Sequence, residues 1–188
     1  MKRYFKDLSH YFEKYQFTTY GVLCPNRISN YCIFSFPFRK CVPAKFVQLV
    51  MKKKCMYLSL YQAKLEGNIV LKTQSSLEYL DLSDCNVDHT ILEEILATCW
   101  NLKKLSLYKL AVTSKMIKSI CDQNSQTLQT LVLSQSSELS LEHIQQIFDN
   151  CIGLTEINLD ATYLSREEIN CVAGYKMLSK VTEDSYIQ

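Results

Sequence analysis

A short apolar phrase recurs along this chain at a nearly constant interval. Its clearest copies, each with apolar residues at the first, fourth and sixth positions, begin at Leu77, Leu102, Leu128 and Leu154. Fainter copies begin at Ile28 and Cys55, and a truncated copy begins at Leu178. A unit of about 25 residues cannot bury its own apolar face, so successive units are expected to stack side by side.

Each clear copy predicts a short strand followed by a helix. Leu105 and Leu107 alternate with polar residues, which is the period of a strand. Downstream, apolar stripes at positions i, i+3, i+4 and i+7 predict helices; two of them are Leu92, Ile95, Leu96, Cys99 and Ile144, Ile147, Phe148, Cys151. The shorter unit from Cys55, which contains Gly67, predicts an extended or single-turn connection in place of a helix.

A short side chain follows most strands, three residues after the last apolar strand position. Cys85, Ser136 and Thr162 occupy this position, whereas Leu110 departs from the pattern. The chain must turn inward here, so we expect the short side chains to bond to otherwise unpaired backbone groups. Residues 165–168 (SREE) further predict a capping box at the start of the last helix.

The placement of cysteines in these units resembles that of a known repeat family. The segments 99–107 (CWNLKKLSL) and 151–159 (CIGLTEINL), with LDLSDC ending at Cys85, resemble the cysteine-containing leucine-rich repeats over about residues 28–180. The resemblance and the repeat period imply an α/β fold. The implied fold is a leucine-rich repeat solenoid of about six repeats, with a curved parallel β-sheet on the concave side and α-helices on the convex side.

The chain divides into two predicted parts. Residues 28–188 form the predicted leucine-rich repeat domain, and residues 1–27 form an N-terminal amphipathic cap helix and linker. Apolar residues recur at helical spacing over residues 3–16. That helix would either cover the open edge of the first repeat or dock a partner.

The resemblance also implies a function. Cysteine-containing repeats of this type are best known from F-box proteins, in which an N-terminal F-box binds the adaptor of a cullin-based ubiquitin ligase and the repeats hold the substrate. Residues 1–27 lack the leucine–proline start and the tryptophan of an F-box, and the single tryptophan is Trp100. We therefore expect a protein–protein interaction module for substrate recognition, with a ligase adaptor as partner only if an F-box is supplied elsewhere. The alternative is a non-ligase scaffold, or an inhibitory or regulatory binding protein.

Composition narrows the remaining classes. A net charge of +2 gives no reason to expect nucleic acid as a partner. The nine cysteines show no C-x-x-C spacing, and neither a Walker loop nor a G-x-S-x-G motif occurs, so we expect no metal, no cofactor and no enzymatic activity. No apolar run of 18 residues and no export signal is present, which favours a cytoplasmic or nuclear protein without membrane contact.

We expect neighbouring parallel strands at residues 79–83, 104–108, 130–134 and 156–160, and the residues between the buried leucines are expected to form three columns on the concave side. The first column is Asn30, Tyr57, Tyr79, Lys104, Thr130 and Glu156. The second is Cys32, Ser59, Asp81, Ser106, Val132 and Asn158. The third is Phe34, Tyr61, Ser83, Tyr108, Ser134 and Asp160.

Tyrosines are concentrated in the middle of these columns, beyond what a merely solvated sheet of Ser, Thr and Asp would show. Tyrosine is a frequent interface anchor because it buries a large area and keeps a hydrogen-bonding group. The predicted protein-binding face therefore consists of Tyr57, Tyr61, Tyr79, Asp81, Lys104, Tyr108, Glu156, Asn158 and Asp160. Its acidic end favours a basic stretch on the partner.

Overall fold

A computed structural model of the chain describes residues 33–35, 41–51, 56–68, 75–173 and 180–182. The cap helix and linker predicted for residues 1–27 lie outside the described residues, as does Cys55. None of the described helices has the length and apolar character needed to cross a membrane. Within the same residues, no three histidine, cysteine or acidic side chains are grouped as a metal site would require.

The described strands form two parallel sheets. In chain order the strands are β1 (Ile33–Ser35), β2 (Cys41–Pro43), β3 (Tyr57–Ser59), β4 (Lys64–Glu66), β5 (Tyr79–Asp81), β6 (Lys104–Ser106), β7 (Thr130–Val132), β8 (Glu156–Asn158) and β9 (Lys180–Thr182). The main sheet has seven strands in the order β1-β3-β5-β6-β7-β8-β9, and β2 pairs with β4 in a separate small sheet. Neighbours in the main sheet start 22 to 26 residues apart in the chain, so the predicted α/β class with parallel neighbouring strands is confirmed.

The helices follow the strands and contact one another in sequence. They are α1 (Ala44–Met51), α2 (His89–Thr98), α3 (Ser114–Asn124), α4 (Leu141–Asn150) and α5 (Arg166–Ala173). Contacts link α2 to α3, α3 to α4 and α4 to α5. The predicted capping box is present at α5, because the Ser165 amide donates to Glu168 Oε2 (2.8 Å) and the Glu168 amide donates to Ser165 Oγ (3.3 Å).

One apolar core joins the middle residues of β2 to β8 to the inner faces of the helices. Leu105 and Leu131 at strand centres are fully buried, and so are Ile95 and Ile147 on the helices. The predicted helix stripes are therefore confirmed. Cys99, Cys121 and Cys151 are buried with them as small apolar groups.

Short side chains connect neighbouring units at the turn into the core. Cys85 Sγ donates to the Leu60 carbonyl (2.6 Å), and Ser136 Oγ donates to the Leu107 carbonyl (3.1 Å). The expectation is confirmed for these two residues. It is wrong for Thr162, whose buried Oγ1 has no hydrogen-bond partner among the described residues.

Burial also sets the chemistry of the core thiols. Desolvation raises the pKa of Cys85 to about 12, although backbone hydrogen bonds oppose the shift. Desolvation raises the pKa of the fully buried Cys99 to about 12 as well. Both thiols are therefore protonated at neutral pH, in keeping with a packing role.

The predicted register of the first unit is wrong by three residues. The sequence places Asn30 beside Tyr57, but Ile33 is the partner of Tyr57 and Ser35 is the partner of Ser59. The first copy of the phrase therefore begins at Tyr31, not at Ile28. Residues 28–36 are so rich in apolar side chains that both starting points satisfy the spacing.

In the unit that begins at Cys55, the described part of the connection after β3 contains an extended segment and no helix, as the length of the unit predicts. Residues 64–66 form β4, and the chain then reaches Gly67, whose positive φ of 92° suits glycine. The pairing of β4 with β2 had no signal in the repeat phrase. It gives the first two units a second, small sheet that the later units lack within the described residues.

Candidate functional site

Three neighbouring strands, each with the turn that follows it, place nine side chains in a regular grid on one side of the main sheet. The rows are Tyr57, Ser59, Tyr61 from β3 and its turn; Tyr79, Asp81, Ser83 from β5 and its turn; and Lys104, Ser106, Tyr108 from β6 and its turn. Side chains alternate between the faces of a strand, so this grid lies opposite the leucines of the core. We call these nine side chains the tyrosine face.

The tyrosines belong to the surface of the molecule. Tyr57, Tyr61 and Tyr79 are 36%, 41% and 37% exposed, whereas the intervening Leu58 and Leu80 are buried. Tyr108 is half-buried. The assignment of tyrosines outward and leucines inward is therefore confirmed.

Six of the predicted binding residues line one open depression of about 550 Å³. They are Tyr57, Tyr61, Tyr79, Asp81, Lys104 and Tyr108. The other three predicted residues, Glu156, Asn158 and Asp160, belong to β8 and the turn after it and do not line the depression. Since β6 and β8 are separated by β7, the strands carrying the two groups lie about 9.5 Å apart.

The third column lies in turns, which corrects the expectation that the strands continue through it. The strands end at Asp81, Ser106, Val132 and Asn158, two residues earlier than expected. In each of five units the turn ends at a residue with φ between 52° and 58°, namely Gln62, Asp84, Lys109, Gln135 and Ala161. Such left-handed conformations are unusual for residues other than glycine, so the recurrence marks a turn of fixed geometry. It sets the positions of Tyr61 and Tyr108.

Side chains of the second column support these turns. Asp81 Oδ1 accepts from the Ser83 amide (3.0 Å), and Asn158 Oδ1 accepts from the Asp160 amide (3.0 Å). These are local side chain–backbone bonds that Asp and Asn favour in turns. Asp81 and Asn158 thus have a structural role that the repeat pattern did not indicate. The signal available in the sequence was an Asp or Asn two residues before the turn.

Asp81 occupies the centre of the tyrosine face. Ser59 Oγ donates to its Oδ2 (2.9 Å), and the Ser83 amide donates to its Oδ1. Ser106 on the other side bonds to Ser83 Oγ instead (2.7 Å). Within the described residues no lysine, arginine or histidine forms an ion pair with Asp81.

Two of the tyrosine rings stack on each other beside this carboxylate. The Tyr57 and Tyr79 ring centroids are 6.0 Å apart, with an angle of 30° between the planes. Partial burial, and to a smaller extent the negative charge of Asp81, raises the pKa of Tyr57 above its ordinary value. The phenol therefore remains protonated at neutral pH and retains its hydrogen-bond donor.

Tyr108 has a cation close to its ring. Lys109 Nζ lies 5.1 Å from the ring centroid, and the Tyr108 hydroxyl donates to Gln135 Oε1 (3.1 Å). Hydrogen bonding to Tyr108, with the charge of Asp84 adding to it, raises the pKa of Lys109. Sequence reasoning missed Lys109, because its place at the end of the turn depends on the left-handed backbone conformation.

Lys104 is the cation at the corner of the tyrosine face. It is exposed, and it has no ion pair among the described residues, whereas the neighbouring Lys103 pairs with Glu78 (2.7 Å). Glu156, in the same column, accepts a hydrogen bond from Thr130 (3.3 Å) and is in register with Lys180. The acidic end predicted for this face is thus partly engaged within the sheet.

Comparison with known proteins gave no assignment. No protein-family model matches the chain, and no curated protein is detectably similar to it in sequence.

Proposed function

We propose that the chain is a leucine-rich repeat solenoid that binds another protein through the tyrosine face. The fold supports this in two ways: successive units add one strand and usually one helix, and both kinds of element contact their counterparts in the next unit. The recurring left-handed turn gives the units a common geometry. In such arrays the strands of successive units form one continuous surface suited to an extended contact.

One observation carries the proposal: six residues selected from the sequence for binding line the same depression. Four of them are tyrosines, which supply a large rigid contact area at a low cost in conformational entropy. The depression is open and lies on the sheet, so it suits a segment of a macromolecule better than an enclosed small molecule. We propose a binding module without catalytic activity or cofactor.

For the partner, we propose a substrate of a cullin-based ubiquitin ligase, encountered in the cytoplasm or nucleus. The support is the resemblance of these repeats to those of F-box proteins. In this chain Cys99 and Cys151 occupy buried apolar positions of the repeat, and Cys85 occupies the position of the second cysteine, after the strand. The second candidate is a scaffold or regulatory binding protein outside any ligase.

The binding proposal is tested by alanine substitution of Tyr57, Tyr79 and Tyr108 together. Partner proteins would be captured from cell extract with the wild-type chain and quantified by mass spectrometry. Loss of interface anchors of this kind costs about 2 kcal/mol or more, so capture should fall at least about thirtyfold. The matched control replaces three exposed apolar residues outside the face, Trp100, Ile152 and Tyr163, and should leave capture unchanged.

Two results would count against the proposal. Equal capture by the tyrosine variant and the wild type would remove the tyrosine face from binding. Loss of capture with the control variant alone would indicate that the binding site lies elsewhere on the molecule.

A binding assay with purified ligase adaptor distinguishes the two candidate functions, because only a ligase component is expected to capture the adaptor directly.

A further inference from the structure

We propose that the tyrosine face binds its partner through an arginine side chain that reaches Asp81. This inference rests on the proposed function and deepens it by stating the chemistry of the partner segment. Three features of the face favour an arginine: the hydrogen-bonding state of the Asp81 carboxylate, the tyrosine rings that flank it and the separation of Asp81 from Lys104.

The Asp81 carboxylate retains unused acceptor positions. An ionised carboxylate offers about four of them. Protein donors fill two, from Ser59 Oγ at 2.9 Å and the Ser83 amide at 3.0 Å. One position on each oxygen remains, which is what a bidentate guanidinium requires.

The positive charge needed to balance Asp81 is missing from its immediate surroundings. Among the described residues it has no ion-pair partner. Lys104 is displaced by one strand and two residues, which places the two Cα atoms about 8 Å apart. A cation supplied by a partner would be closer and would complement the charge at the centre of the face.

Tyrosines from both neighbouring units flank Asp81. Tyr61 and Tyr108 are separated by one intervening unit, in which the same column position is the buried Ser83. An aromatic ring attracts a cation placed over its face within about 6 Å of the ring centroid. The Lys109 ammonium, 5.1 Å from the centroid of the Tyr108 ring, shows that a tyrosine of this face accepts a positive charge.

These features favour arginine over lysine. The guanidinium is planar, stacks on aromatic rings and donates two parallel hydrogen bonds to a carboxylate, whereas an ammonium acts as a compact point charge. An acidic partner segment would instead be drawn to Lys104. This alternative is an outcome of the test below.

The test uses three synthetic nine-residue peptide libraries with random flanking positions and a fixed central residue: arginine, citrulline or glutamate. Citrulline keeps the shape of arginine without its charge. Binding to the full chain is measured by fluorescence anisotropy at low salt. We expect the arginine library to bind about tenfold more tightly than the citrulline library, and Asp81→Asn to abolish this preference. Asp122→Asn, an equal change of charge at an exposed site on α3, should leave it intact.

Asp81→Asn keeps an oxygen for the Ser83 amide and can donate to Ser59, so the turn is expected to form. Urea unfolding of both variants checks this. An equal affinity for arginine and citrulline peptides overturns the inference, as does an equal effect of Asp81→Asn and Asp122→Asn. If glutamate peptides bind most tightly and the tyrosine variant no longer binds them, the proposed protein binding is supported and the arginine inference is refuted. If no library binds and the tyrosine variant also captures partners normally, both proposals fail.

Discussion

Adjacent residues on one strand should differ sharply in their contribution to stability. Leu105 is fully buried in the core, and its neighbour Lys104 is exposed on the opposite face of β6. Replacing a fully buried leucine with alanine costs about 2.7–5 kcal/mol. With a urea m-value of about 2 kcal/mol/M, Leu105→Ala should lower the unfolding midpoint by roughly 1.5–2.5 M. Lys104→Ala removes no core contact and should leave the midpoint within about 0.3 M.

The pair Leu80 and Tyr79 on β5 repeats the test within the binding face. Leu80→Ala should lower the free energy of unfolding as much as Leu105→Ala, since the Leu80 side chain is only 2% exposed. Tyr79→Ala loses the stacking with Tyr57 and should cost only about 1 kcal/mol, or roughly 0.5 M in urea. Unfolding would be followed by circular dichroism, with an unchanged m-value as the check on two-state behaviour. If Tyr79→Ala lowered the free energy of unfolding more than Leu80→Ala, the two faces of the sheet would be wrongly assigned and the proposed binding surface would be refuted.

Two further predictions concern the buried polar groups. Labelling of the native protein with iodoacetamide at pH 8 should modify the exposed Cys171 and spare Cys85 and Cys99. A pKa of about 12 leaves only about one buried thiol in 10⁴ as thiolate at that pH. Rapid labelling of Cys85 or Cys99, detected by peptide mass spectrometry, would contradict their burial. Ser136→Ala should lower the free energy of unfolding in urea by about 0.5–1.5 kcal/mol, because the Leu107 carbonyl loses this donor but still accepts from the Leu110 amide (3.1 Å); an unchanged midpoint would show that the bond contributes nothing.

The sequence predicted the repeated part of the fold because the same physical requirement recurs in every unit. A strand with one buried face must place apolar residues at alternate positions, and this pattern located β5 to β8 and their shared register. The pattern failed where it was degenerate. At the first unit, closely spaced apolar residues permit two registers, and only pairing with β3 selects Ile33 as the partner of Tyr57.

The tyrosine face was predictable as a set of residues on one side of the sheet, but the arrangement of these residues around Asp81 was not. Alternation along each strand placed Tyr57, Asp81 and Glu156 on the same side of the sheet. It could not show that the rings gather around Asp81, or that Glu156 lies outside the depression. Those relations depend on distances across strands.

The amino-acid sequence by itself determined the repeating unit: its length, its buried residues and the side of the sheet that each side chain faces. These follow from local periodicity, since a residue's direction along a strand is set by its immediate neighbours. Tertiary structure alone decided the small sheet of β2 and β4, the left-handed turn that holds Tyr61 and Tyr108, and the central place of Asp81 without a cationic partner. The small sheet and the place of Asp81 arise from contacts between residues in different units, and the turn depends on a left-handed backbone conformation; the spacing of apolar residues predicts none of them.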